Sequence, residues 1–156
     1  MAALRFHNVY GPGMPRETPY AGVASIFTDN LLRGEPPRVF EDGCQRRNFI
    51  HVSDVAAAVV TALHAPLPAR LTPLNIGTPW VTTVGEMATE LSRTLDGPAL
   101  IVTGAYRLGD VRHITADCSA ADHVLGWRAR IDLRTGLADL SASMAARAAV
   151  DADKSA

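Results

Sequence analysis

Strand and helix signals alternate along this chain, and that alternation narrows the fold class more than any other feature of the sequence. Leu4-Arg5-Phe6-His7-Asn8-Val9-Tyr10 alternates and runs into Gly11-Pro12-Gly13, the pattern of a strand entering a loop that continues through Pro15 and Pro19. Val23, Ile26, Phe27 and Leu31 recur at helical spacing, and Gly34 with Pro36-Pro37 stops that helix. Arg38-Val39-Phe40 is expected to form a short strand before the turn Glu41-Asp42-Gly43, and Asn48-Phe49-Ile50-His51-Val52 a second one. Ser53-Asp54 is expected to cap a small-residue helix running to about Ala65, ended by Pro66 and Pro68. Leu74-Asn75-Ile76-Gly77 reads as a buried strand. Thr83-Val84-Gly85-Glu86 reads as a capping box opening a helix with Val84, Met87, Ala88, Leu91 and Leu95 on one face. Leu100-Ile101-Val102 is a further strand. Ser119 is expected to cap a short helix ending near Gly126-Trp127. Asp132 should cap the last helix, with Leu133, Leu137, Leu140 and Met144 inward. The fold class is therefore α/β, and the polar residues 148–156 are expected to form a disordered tail.

Composition removes several functional classes. The 156 residues suffice for one domain and one core. A net charge of −1 and 6% aromatics favour neither nucleic acid nor an anionic membrane surface. No apolar run approaches the ~18 residues of a membrane span, and the amino terminus lacks the pattern of a signal peptide. Cys44 and Cys118 show no CxxC spacing and read as free thiols of a reducing, cytoplasmic setting. The five histidines show no metal spacing, and GxSxG, HExxH and P-loop patterns are absent. Fourteen of the fifteen basic residues are arginine. The one lysine, Lys154, lies in the polar tail, which disfavours any mechanism needing a lysine in a structured site.

Three segments could carry chemistry. In Gln45-Arg46-Arg47-Asn48-Phe49-Ile50-His51-Val52-Ser53-Asp54, an arginine can present a planar charged fork to a phosphate. Strand alternation sends Arg46 and Arg47 to opposite sides, so at most one faces a given pocket. In Tyr106-Arg107-Leu108-Gly109-Asp110-Val111-Arg112-His113, an arginine and an aspartate bracket a glycine and could hold a diphosphate and a ribose hydroxyl. Asn8 ends the first strand, where α/β folds bind ligands. Alone, the first two segments read more readily as a solvated arginine pair and a polar turn, and Asn8 at least as readily as an asparagine bonding its own turn.

Together, in this order, these segments resemble the second half of the extended short-chain dehydrogenase/reductase family, in its NAD-dependent nucleotide-sugar epimerase/dehydratase branch. The matching stretches run from Leu4 to Pro12, from Val39 to Asp54, from Leu74 to Gly77, from Arg107 to Val111, and from Ala116-Asp117 to Leu125-Gly126-Trp127. The resemblance implies the carboxy-terminal part of a Rossmann-like NAD(P)-binding fold, mainly its small substrate-binding domain. Residues 1–147 would form that half, with 1–12 a strand and loop of the dinucleotide domain. Because the chain opens directly on a strand, an upstream segment is expected.

By the same resemblance, Asn8 would contact the substrate diphosphate or sugar, Phe40 would stack on the nucleotide base, Val39 would belong to the substrate-binding residues, Arg47 and Arg107 would bind the diphosphate, and Asp110 would help hold the nucleotide or ribose. Phe6 and His7 would lie near the nicotinamide of NAD. Asn48 stands where the family usually has aspartate. The family's glycine-rich loop and Tyr-x-x-x-Lys pair match nothing here: neither Tyr10, Tyr20 nor Tyr106 has a lysine four residues on. No catalytic residue is therefore assigned. The expected function is the nucleotide-sugar-binding half of an NDP-hexose 4-epimerase or 4,6-dehydratase, with a non-catalytic nucleotide-sugar-binding or interaction module as the alternative. The expected partner is a nucleotide-diphosphate sugar, and the amino-terminal dinucleotide-binding half would come either from the same protein upstream or from a separate chain. NAD would serve the complete enzyme and not be retained by this chain alone.

Overall fold

A computed structural model describes residues 1–15, 21–68 and 70–154. The continuation of the first loop through Pro19 and the last two residues of the tail lie outside these residues.

The opening apolar run forms two strands. β1 (Ala2–Phe6) and β2 (Val9–Tyr10) are separated by a break at His7 and Asn8. β1 pairs in parallel with the later strand β6 (Thr72–Ile76), in register from Ala2 opposite Thr72 to Phe6 opposite Ile76. β2 pairs in parallel with β5 (Ile50–His51). Parallel pairing requires a crossover, and α2 (Val52–His64) lies between β5 and β6 in the chain and packs on β1 and β2. β3 (Arg38–Val39) pairs in parallel with β8 (Ile101–Val102). β4 (Arg46–Arg47) pairs antiparallel with β7 (Thr82–Thr83), a pairing that strand patterning did not indicate.

The helices follow their sequence signals closely, with informative exceptions at the caps. α1 spans Val23–Leu32 and α3 Val84–Thr94. The α3 capping box is complete: Glu86 N–H donates to Thr83 Oγ1 at 3.1 Å, and Thr83 N–H donates to Glu86 Oε2 at 2.7 Å. Asp132 Oδ1 accepts from Thr135 N–H at 2.8 Å at the start of α5 (Leu133–Lys154). The cap of α2 is His51, whose Nδ1 accepts from Ser53 N–H at 3.3 Å. Asp54, expected in that role, instead accepts from Arg130 and Ile131 N–H at 3.0 and 2.9 Å and so pins the segment before α5. α4 (Ser119–Leu125) begins one residue after Cys118, with Asp117 Oδ1 accepting from Ser119 N–H. The expected disordered tail from residue 148 is corrected: α5 continues through Lys154. Its residues there, Ala148, Ala149, Val150, Asp151, Ala152 and Asp153, contain no proline or glycine to break the helix.

Two apolar cores result. One joins α1, α3 and α5 through Ala24, Phe27, Leu31, Met87, Ala88, Leu91, Leu137, Leu140 and Met144, with Tyr10, Val39 and Phe49 beneath them. The other packs α2 and α4 on the β1–β6 pair through Val55, Ala58, Leu74, Ile76, Ala121 and Trp127, with Ile50 and Ala129.

Candidate functional site

The carboxyl ends of β1 and β6 define the place to look, because open α/β sheets bind ligands beyond the carboxyl ends of their parallel strands. Phe6 ends β1 with its side chain 49% exposed. His7 follows, half-buried, its N–H donating to Ile76 O at 3.0 Å. Burial, and then the nearby Arg5 charge, hold its imidazole below the usual histidine pKa, which favours the neutral ring. Asn8 is exposed, and its carbonyl accepts from Ile50 N–H at 3.1 Å. Gly77, just past β6, is closely surrounded. A β-carbon there would stand 3.2 Å from Cys118 Sγ and 3.5 Å from the β-carbons of Asn48 and His7. Burial raises the Cys118 thiol above its usual pKa, so the sulfur is held as a thiol and not as a nucleophilic thiolate.

Arg46 and Arg47 alternate as strand geometry requires: Arg46 is exposed and Arg47 buried. Nη1 of Arg47 donates to the carbonyls of Arg46 and Arg112 at 2.9 and 2.7 Å, and Nη2 to that of Val111 at 2.8 Å. Asp110 Oδ1 lies 3.9 Å from Nη2. A guanidinium has five N–H donors. Three of these make the bonds above, and Nε–H makes no hydrogen bond among the described residues.

Asn48 is 1% exposed and ties three segments together. Its Nδ2 donates to Thr78 and Trp80 carbonyls at 2.8 and 3.1 Å, and its Oδ1 accepts from Ala116 N–H at 2.7 Å. Both donors of the amide are used. The aspartate usual at this position would have no N–H to offer those carbonyls, which gives the asparagine a physical reason here.

Val39 is wholly buried, and its carbonyl accepts from Thr103 N–H at 2.9 Å. Its side chain belongs to the core, so any contact with a base falls to its main chain or to Phe40, whose ring is 42% exposed. Gln45 Nε2 donates to Phe40 O at 2.9 Å and closes the turn between them. Arg107 is exposed in a turn closed by Asp110 N–H donating to Arg107 O at 3.1 Å. The structure thus joins Arg47 to the Asp110–Arg112 segment and places Arg107 in the same turn as Asp110. Phe6, His7 and Asn8 gather separately, near Asn48 and Gly77.

Arg112 escaped the sequence reading as a site residue. Its Nη1 donates to Glu41 Oε2 and its Nη2 to Asp42 Oδ2, each at 2.6 Å, across about seventy positions of sequence. The Arg112 hydrogen bond, followed by the Cys44 N–H, holds the Asp42 carboxyl below the usual carboxylate range. Charge complementarity between 41–42 and 112 was visible in the sequence, but spacing cannot pair residues so far apart. Among the described residues no cluster of three or more His, Cys, Asp or Glu could hold a metal, and no helix is long and apolar enough to cross a membrane.

A family model described as NAD dependent epimerase/dehydratase matches residues 1–77. The chain is similar to a dTDP-L-rhamnose 4-epimerase of Burkholderia thailandensis, 34% identical over 140 residues, covering 90% of this chain and 38% of that protein. Among solved structures it is similar to the UDP-glucose 4-epimerase of Thermotoga maritima with UDP-glucose: TM-score 0.84, 32% identity, 96% of this chain and 46% of that one. It is likewise similar to MoeE5 in complex with UDP-glucuronic acid and NAD: TM-score 0.81, 37% identity, 94% of this chain and 47% of that one. The chain spans less than half the length of each of these relatives.

Proposed function

The chain belongs to the NAD-dependent epimerase/dehydratase family, and on that premise we propose that it is the nucleotide-sugar-binding half of an NDP-hexose 4-epimerase or 4,6-dehydratase. The observation that carries this reading is Arg47: a buried guanidinium, held by three carbonyls, with N–H donors left over for an anion, Nε–H among them. Arg107 and Asp110 lie in the loop that Arg47 holds. Phe40 offers an exposed ring for a base, and Asn8 an exposed amide for a sugar or phosphate.

The carboxyl end of β1 fits one side of a nicotinamide site. Phe6 presents an exposed apolar surface, and His7 is a predominantly neutral ring at the mouth of a parallel pair. Bound NAD would supply a hydride acceptor for C4 of the hexose. Phe6 and His7 would orient it, and Arg47 and Arg107 would fix the substrate diphosphate. The sequence contains no Tyr-x-x-x-Lys pair to move the sugar hydroxyl proton, so this chain alone binds without turning over. That same observation supports the second reading, a non-catalytic nucleotide-sugar-binding module.

Calorimetric titration of UDP-glucose and dTDP-glucose tests the proposal, alongside a turnover assay with added NAD. Binding without turnover or retained NAD is expected. Failure of a folded chain to bind either nucleotide sugar would remove the substrate-binding reading, and turnover by the chain alone would remove the claim of catalytic incompleteness. Mixing with a polypeptide that carries the glycine-rich loop and the Tyr-x-x-x-Lys pair separates the two readings, since only an enzyme half gains activity.

A further inference from the structure

We propose that Arg112 is a positioning residue of the nucleotide-diphosphate subsite: it straps the loop bearing Arg107 and Asp110 to the turn that follows Phe40. The inference rests on the binding function proposed above and adds a residue to which the sequence assigned no role.

The segment between Thr103 and Ile114 is fastened at both ends and loose in the middle. At one end Thr103 N–H donates to Val39 O at 2.9 Å, and Glu41 N–H to Ala105 O at 2.8 Å. At the other, Ile114 N–H donates to Arg46 O at 3.0 Å and Arg46 N–H to His113 Nδ1 at 3.2 Å. Between them, residues 106–110 are exposed, with Leu108 at 92%. Gly104 and Gly109 take positive φ, and a β-carbon on either would meet no atom within 4 Å. Packing therefore does not decide where Arg107 sits, so polar ties must.

Arg112 supplies those ties in two directions. Its guanidinium holds Glu41 and Asp42 together, one carboxylate on each terminal nitrogen. Its carbonyl accepts from Arg47 Nη1. The loop, the turn after Phe40 and the buried arginine thus meet at one residue. The strap also has an electrostatic task. Two adjacent carboxylates beside Phe40 would oppose an incoming diphosphate, and Arg112 neutralises part of that charge at hydrogen-bond distance. Glu41 itself sits at a φ of 51°, a conformation uncommon for a residue other than glycine. Its ion pair and its N–H bond to Ala105 both hold it there.

The test is a double-mutant cycle on UDP binding by the full chain, using Arg112→Gln, Arg107→Gln and the pair, with Arg112→Lys as the conservative variant. Arg112 is partly exposed, so the fold is expected to survive its replacement. Arg112→Gln should weaken UDP about tenfold, and the double variant should bind little worse than Arg107→Gln alone, because a residue acting through another is not additive with it. Arg112→Lys should recover only part of the loss, since an ammonium lacks the fork that spans two carboxylates. Hydrogen exchange without ligand gives a second reading: amides 105–111 should exchange faster in Arg112→Gln at an unchanged melting temperature. Unaltered UDP affinity, fully additive losses, or unaltered exchange over 105–111 would each overturn the proposal while leaving the binding function standing. A folded wild-type chain that binds neither UDP nor dTDP would overturn both, and of these results only that one removes the binding function.

Discussion

The phenol of Tyr10 occupies the space into which a side chain on Gly136 would project, so α5 crosses Tyr10 closely only because residue 136 is glycine. The ring cannot easily yield, since it is buried and meets the His51 ring edge-on at 5.6 Å. Gly136→Ala gains about 1 kcal/mol of helix propensity but overpacks the core, at a cost of about 1–3 kcal/mol or more. We expect a net loss of about 1–2 kcal/mol, read as a lower urea midpoint at constant slope. An unchanged midpoint would show that the helix can shift freely.

The same phenol oxygen is buried without a hydrogen-bond partner among the described residues. Tyr10→Phe should therefore be neutral to stabilising at pH 7, by up to about 1 kcal/mol, because it removes a desolvated group that makes no bond. Desolvation, then the Asp132 and Asp54 charges, raise the Tyr10 pKa well above its ordinary value of 10.0. The folded state thus prefers the neutral phenol. Its contribution is complete below pH 10.0 and is lost as pH rises from there toward the raised folded value. Melting curves between pH 9 and 11, within about one unit of the unperturbed tyrosine value, should fall less steeply for Tyr10→Phe than for wild type. Parallel curves would contradict this.

Asn48→Asp should destabilise the chain even though the family resemblance implies aspartate there. A carboxylate would face the Thr78 and Trp80 carbonyls with no proton to share. The expected cost is about 2–4 kcal/mol at pH 8, as for a buried charge left unpaired. The introduced acid would have a raised folded pKa, so the deficit should shrink as pH falls through that value. A variant as stable as wild type at pH 8 would show that the loop from Thr78 to Trp80 rearranges.

Arg47→Ala should weaken UDP binding by about ten- to a hundredfold, the loss of one or two charged hydrogen bonds. It should also lower the melting temperature, since it removes three hydrogen bonds to carbonyls, those of Val111 and Arg112 among them. Arg46→Ala, on the exposed side of the same strand, should change binding little. Equal effects on titration would contradict the division of labour within β4.

Legibility in the sequence followed the range of the interaction. The Thr83–Glu86 capping box, the Asp132 cap and the inward faces of α3 and α5 are local, set by three- and four-residue spacing, and appear where expected. The opposite orientations of Arg46 and Arg47 followed from strand alternation alone. What spacing could not reveal were ties across the chain. Asp54 looked like a helix cap and instead reaches Arg130 and Ile131. Arg112 looked like part of a polar turn and holds two acids about seventy positions away. The tail looked polar enough to fray, yet nothing in its residues breaks a helix already started by Asp132.

Phe49 belongs to one apolar core and Ile50 to the other. Five consecutive residues therefore hold five different partners. Arg47 grips the loop at 111–112, Asn48 the turn at 78–80, Phe49 and Ile50 one core each, and His51 the first turn of α2. Inserting or deleting one residue here would therefore displace every one of these contacts at once. The two cores are joined here by a single peptide bond, directly beside the arginine and asparagine. Damage to either core would thus reach Arg47 and Asn48 without touching them.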